Sequence, residues 1–157
     1  MNNSFEIRRI QLYCKDNGVD ISNEIFTNYF LFDDDGRIYK WNVPNVLVPN
    51  LQELKNIYSD DLIMKDIAMS QIRAYRNKYL RLTDNLIGDR IDDQAENNEI
   101  KAFRRKLRNL PANLDESELK LNSDNRINLK KYFNKKNLQV SDNIRKYIKN
   151  ITDETDI

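Results

Sequence analysis

Apolar positions recur along this chain with two different periods, and a short punctuated block separates them. Over residues 4–16, Ile7, Ile10 and Cys14 fall three and four apart, which predicts a short helix with Ser4 as its cap. Asn17-Gly18 predicts its end, because glycine accepts a left-handed backbone there at little cost. The stretch FEIRRIQLYC also holds enough β-branched and aromatic residues for a strand; the helix is the preferred reading. Next, IFTNYFLF is rich in strand formers, and RIYKWNV alternates. The alternation puts Ile38, Lys40 and Asn42 on one face and Tyr39, Trp41 and Val43 on the other. Asp34-Asp35-Gly36 between the two is turn chemistry, so a β-hairpin is predicted. Pro44 and Pro49 then hold an extended link, and Asn50 with Glu53 three residues on opens a short helix, LQELKNIY.

Ser59-Asp60-Asp61 starts a longer helix, its acids favourable at a helix N-terminus. Met64, Ala68, Ile72, Tyr75, Tyr79, Leu82 and Leu86 form one apolar stripe, with Arg73, Arg76 and Arg81 off it. Gly88 interrupts. A second helix is predicted over 93–109, with Ala95, Ile100, Phe103, Leu107 and Leu110 inward and Pro111 as its stop. Two such helices on a short connection predict an antiparallel pair. IRAYRNKYLR and IKAFRRKLRN, in the two helices, share an order of residue types; two amphipathic helices of similar composition explain it, and a duplicated half is the alternative. Beyond 111 the chain is polar. Ile127, Leu129, Tyr132, Phe133, Leu138, Ile144, Tyr147, Ile148 and Ile151 could build one or two further helices, and ITDETDI should fray.

The predicted fold class is therefore mainly α with a small β-hairpin (α+β). Three segments follow: an N-terminal helix and hairpin over 1–58, a helical hairpin over 59–111, and a partly helical extension over 112–157. Three glycines and three prolines in 157 residues fit helices better than a many-stranded sheet. Asparagine supplies about one residue in seven, which fits an AT-rich genome.

Charge and reactive residues narrow the function. With 26 basic and 25 acidic side chains the net charge is +1, so no global field draws in nucleic acid or an anionic membrane. There is no histidine, which removes the commonest acid-base catalyst and every Ser-His or Cys-His arrangement. Cys14 is the only cysteine, so an internal disulfide cannot form and a metal centre is disfavoured. No apolar run reaches signal-peptide or membrane-spanning length, and a soluble protein in the cytoplasm of its cell is expected. Asp33, Asp34 and Asp35 do not fit a calcium loop: with Gly36 at its sixth position the first ligand would be Leu31 and the twelfth Asn42. Lys101, Arg104, Arg105, Lys106 and Arg108, and then Lys130, Lys131, Lys135 and Lys136, are the basic segments that could meet phosphates; a solvated helix face is the preferred reading. Tyr39 and Trp41 either anchor a partner or cover their own domain, and the second is preferred because a lone hairpin cannot stand by itself.

The order of the middle segments resembles a known family. Small tail-assembly chaperones of tailed phages, and related tail-fibre assembly proteins, often show a strand ending I-x-x-W, a proline-bearing link, and P-T-x-x-E-L opening a helix. Here Ile38 to Trp41, Pro44, and Pro49-Asn50-Leu51-Gln52-Glu53-Leu54 stand at those places. The family's R-x-x-R-[ND]-x-L-L-x-x-[TS]-D is matched by Arg73, Arg76-Asn77, Tyr79-Leu80 and Thr83-Asp84. Its [YF]-R-x-x-L-R-[ND]-[LI]-P is matched by Phe103-Arg104 and Leu107-Arg108-Asn109-Leu110-Pro111. The likeness covers about residues 25–111; Asn85 stands where the family often has tryptophan, and the segment after Pro111 has no counterpart.

The resemblance implies binding and no catalysis or cofactor: a factor that holds a tail or tail-fibre polypeptide during virion assembly in the host cytoplasm. Tyr39, Trp41, Arg76, Tyr79, Phe103, Arg104 and Leu107 are the candidate partner-binding residues. A minor structural protein of the virion is the alternative, and a nucleic-acid-binding regulator the second. Partners are then phage tail, tail-fibre or other virion proteins, with no membrane and nucleic acid disfavoured; self-association stays open.

Overall fold

The computed structural model describes residues 3–84, 86, 94–110 and 119–128. The expectations about Gly88, Pro111 and the chain beyond 128 fall outside them. The fold is mainly helical with a two-stranded antiparallel hairpin, as the patterning predicts. Four helices are described: α1 (Asn3–Asp16), α2 (Leu51–Ile57), α3 (Asp60–Asp84) and α4 (Gln94–Asn109). A 3-10 turn, Phe26–Asn28, precedes the strands β1 (Phe30–Phe32) and β2 (Ile38–Trp41). The chain divides into two compact units, residues 1–67 and 68–157, and the division lies inside α3.

The first unit is built around Ile10, Cys14, Ile21, Phe30, Val43, Val46, Leu51, Leu54, Tyr58 and Ile63. Helix α1 starts at Asn3, so Ser4 belongs to its first turn and is not the cap expected of it. Its other end closes as foreseen. The Gly18 N–H donates to the Lys15 carbonyl (3.0 Å) and the Val19 N–H to the Cys14 carbonyl (2.9 Å), with Gly18 at φ +87°. These two bonds occupy carbonyls that the last helical turn leaves without partners. In the hairpin turn the Asp33 carboxylate accepts the Arg37 N–H (2.8 Å), and Gly36 sits at φ +82°.

The hairpin differs from the predicted alternation. Phe30 pairs with Trp41 and Leu31 with Lys40, but Phe32 pairs with Ile38, leaving Tyr39 as an extra residue opposite the Leu31–Phe32 step. A bulge of this kind shifts the two-residue period by one. Ile38 and Trp41, expected on opposite faces, therefore both pack on the core, while Tyr39 is 65% exposed. The first predicted strand is also shorter, because Phe26–Asn28 turns as 3-10.

Helix α2 is capped as predicted: the Asn50 carboxamide oxygen accepts the N–H groups of Gln52 (2.9 Å) and Glu53 (3.4 Å). Ser59 stands before α3, where its hydroxyl accepts the Leu62 N–H (3.3 Å). A buried ion cluster joins these elements. Arg9 on α1 donates to the Tyr58 carbonyl at the end of α2 (2.7 Å), to Glu6 (2.7 Å) and to Asp60 in the first turn of α3. Arg9 and Glu6 are 1% and 2% exposed, and Lys55 approaches the same Glu6 oxygen at 3.3 Å. Glu6 Oε2 is buried and accepts no hydrogen bond among the described residues. Arg8 pairs with Asp66.

Cys14 is fully buried, and burial pushes its thiol from an ordinary 9.0 up to about 11. Burial first, and then Asp16 accepting its hydroxyl, push Tyr58 from 10.0 up to about 12. Both folded values exceed the unfolded ones, so both groups stay protonated in the folded chain while the unfolded chain ionises. Their stabilising effect is full below the unfolded values and is lost as pH rises toward 11 and 12. Urea midpoints should therefore fall from about pH 9 upward, at up to about 1.4 kcal/mol per pH unit for each group. Replacing Cys14 with alanine should flatten the first part of that decline.

The second unit is built around Ala68, Ile72, Tyr79, Ile100, Phe103, Leu107, Leu110, Leu119 and Ile127. The α3 stripe starts with Ile63 buried in place of the expected Met64, holds from Ala68 through Tyr79, then departs: Leu82 is 37% exposed and Thr83 is fully buried. Thr83 tolerates this because its hydroxyl donates to the Tyr79 carbonyl (2.8 Å). On α4 the apolar stripe begins at Ile100, and Ala95 is exposed rather than inward. Residues 119–128 form neither a separate extension nor a helix. Leu121 and Ile127 make an antiparallel bridge around a turn in which the Asn122 side chain accepts the N–H groups of Asp124 (3.0 Å) and Arg126 (2.9 Å), with Asn125 at φ +57°. Gln71 of α3 ties this turn down, donating to the Asn125 carbonyl (2.7 Å) and accepting the Ile127 N–H (2.8 Å).

Candidate functional site

Pro44 and Pro49 bracket Asn45-Val46-Leu47-Val48, a segment with no strand partner among the described residues. Asn45 adopts φ +59°, a left-handed conformation that asparagine tolerates better than most residues. Val46 then turns into the core of the first unit, and Leu47 and Val48 turn outward, 84% and 56% exposed. The backbone at this point is held. The Trp41 indole N–H donates to the Val46 carbonyl (2.8 Å), and the Tyr13 hydroxyl donates to the Leu47 carbonyl (3.2 Å). A fixed backbone that presents an exposed leucine is organised before any partner arrives, which limits the ordering entropy of binding. Burying such a side chain is worth about 1.5–3 kcal/mol.

Trp41 itself is half-buried. Its ring lies 6.2 Å from that of Phe30, tilted by 34°. It covers the core and props the Val46 carbonyl, so its effect on a partner would pass through Leu47. Tyr39 projects from the bulge, and Lys40 next to it donates to the Thr27 carbonyl (2.7 Å).

The other five candidate residues lie in the second unit, and four of them come together in its interior. Tyr79, Phe103 and Leu107 are core residues. Tyr79 lies 4.0 Å, centroid to centroid, from Tyr75, and burial raises the hydroxyl pKa of both. Arg104, read from the sequence as part of a solvated basic face, is 5% exposed. It donates to the Leu80 carbonyl (2.7 Å), the Thr83 hydroxyl (2.6 Å) and Asp84 (2.6 Å), so a cation from α4 neutralises the negative end of α3. Arg76 is half-buried, and its guanidinium donates to its neighbour Asn77 (3.0 and 2.9 Å). None of the buried four offers its surface to a partner as placed here.

Sequence reasoning passed over Leu47 and Val48 as linker. The available signal was three consecutive apolar residues between prolines with nothing predicted to pair with them. Among the described residues no group of three or more His, Cys, Asp and Glu could hold a metal ion, and no described helix is long and apolar enough to cross a membrane. Comparison with family models, curated proteins and solved structures finds no match.

Proposed function

We propose that this protein is a non-enzymatic phage assembly factor that grips a tail or tail-fibre polypeptide in the host cytoplasm, with Leu47 and Val48 as its contact point. The observation that carries the reading is the apolar prominence just described: a leucine 84% exposed on a backbone that Trp41 and Tyr13 hold in place. The order of the resembling motifs supports it. The I-x-x-W strand, the proline link and the capped helix are the three pieces that build and orient this loop. A client segment that would otherwise aggregate gains an apolar contact, and the charged exterior keeps the complex in solution.

The test is co-expression with the tail-fibre protein of the same phage, followed by affinity capture. Leu47→Asp and Val48→Asp should each weaken capture about tenfold or more, the equivalent of about 1.4 kcal/mol, with unchanged far-UV circular dichroism. Capture indifferent to both substitutions would remove this loop as the contact. Mass spectrometry of purified virions distinguishes a transient chaperone, absent from particles, from a permanent minor component present in stoichiometric amount.

A further inference from the structure

The near-zero net charge conceals a segregated one. Residues 1–67 carry 7 basic and 11 acidic side chains, whereas residues 68–157 carry 19 and 14. Within the second unit no acid occurs between Asp66 and Asp84 along α3, and none follows Glu99 along α4.

The packing of α4 sorts its cations into two kinds. Ile100, Phe103 and Leu107 fix which side of the helix faces the core, and Arg104 on the border of that side is occupied by the end of α3. Lys101, Arg105 and Arg108 occupy the opposite side. They are spaced by four and three, so they form one stripe, and all three are exposed. None of them makes an ion pair or hydrogen bond with a described side chain. Lys106 is also exposed, but on the other flank of the helix and off this stripe. The stripe spans about 10 Å along the axis. On the outward side of α3, Arg73 and Arg81 are likewise exposed. Each helix thus presents a basic outer face.

We infer that the outer face of α4 is a docking surface for the phosphate backbone of nucleic acid, with Lys101, Arg105 and Arg108 as its contacts. Charge complementarity carries the assignment. Three exposed cations on one helix, without a partner among the described residues, match a polyanion with regularly spaced charge, and they carry no sequence preference of their own. An acidic polypeptide is the competing occupant, and the experiment separates the two. The contacts belong to the second unit and the Leu47 loop to the first, and a Leu47→Asp chain is expected to bind nucleic acid unchanged.

Fluorescence anisotropy of the full chain with a labelled duplex of about 20 base pairs, at about 50 mM salt and upward, reads the interaction. Binding is expected in the range of roughly 10⁻⁴ to 10⁻⁶ M, with log K falling against log salt at a slope near −3, about −0.9 for each phosphate neutralised. Arg105→Gln and Arg108→Gln should each reduce that slope by about 0.9. The charge reversal Arg105→Glu/Arg108→Glu should abolish binding. Should it also disturb the fold, the single glutamine variants, which remove one exposed charge each, still decide the matter. Polyglutamate at equal charge should compete poorly. No binding at about 50 mM salt, an unchanged slope in the glutamine variants, or polyglutamate displacing the duplex at equal charge would each overturn the assignment.

Discussion

Replacing Arg9 with methionine is expected to destabilise the protein by about 3–5 kcal/mol, out of a total of about 5–15 for a domain of ordinary stability. The size follows from what would be left behind. Glu6 is 2% exposed, one of its oxygens already lacks a hydrogen bond, and Lys55 at 3.3 Å would be its only remaining counter-charge, both among the described residues. The Tyr58 carbonyl at the end of α2 and Asp60 in α3 would lose the same guanidinium. Urea denaturation measures the cost as a fall in midpoint at constant slope. Combining Arg9→Met with Glu6→Leu should recover a large part of it, since a buried pair replaced whole by apolar side chains is often close to neutral. A loss under about 1 kcal/mol for Arg9→Met alone would show that water reaches Glu6 and that the cluster is not truly buried.

Leu107→Ala is expected to cost about 2–5 kcal/mol, because a fully buried leucine in a packed interior leaves both a transfer loss and a cavity. Its interest lies in the contrast with Leu47. Both are leucines put forward as partner contacts, but Leu107 lies in a core with Ile72, Tyr79 and Phe103, and Leu47 faces solvent. Leu47→Asp should change stability by no more than about 0.5 kcal/mol. If client capture weakens in Leu107→Ala, the weakening should track the fraction unfolded and disappear on cooling or on adding a stabilising osmolyte. Weakening in Leu47→Asp should persist under both treatments. A Leu107→Ala chain of full stability would mean that this helix does not pack as described.

Local signals in the sequence, Ser4 excepted, match the structure where one residue's own chemistry decides the geometry. Asn17-Gly18 ends α1, Asn50 caps α2, Ser59 precedes α3 and Gly36 turns the hairpin, each through bonds that short-range stereochemistry requires. What escaped is set by contacts between distant segments. Nothing local in the sequence says that Arg104 rather than Arg105 meets the end of α3, or that Arg9 and Glu6 are enclosed by α2 and α3. Burial of Thr83 in place of Leu82 depends on a hydroxyl finding the Tyr79 carbonyl, which apolar periodicity does not register. The bulge at Tyr39 inserts one residue into an alternation that otherwise looks regular, and so moved Trp41 to the same side as Ile38. The candidate site was legible only in its supports: Trp41 and the two prolines drew notice, and the leucine they hold up did not.

Only three glycines serve the whole chain, yet Asn45 and Asn125 also take up left-handed backbone, one at the head of the exposed loop and one in the turn that Gln71 ties down. Asparagine codons are poor in G and C, glycine codons rich in them. In a genome drifting toward A and T, sharp corners can pass from one residue to the other while the path of the chain is conserved. The asparagine version also leaves a less floppy unfolded state, since a side chain narrows what the free backbone can sample. Mutational bias can thereby stiffen a protein at its bends without any change in what those bends hold.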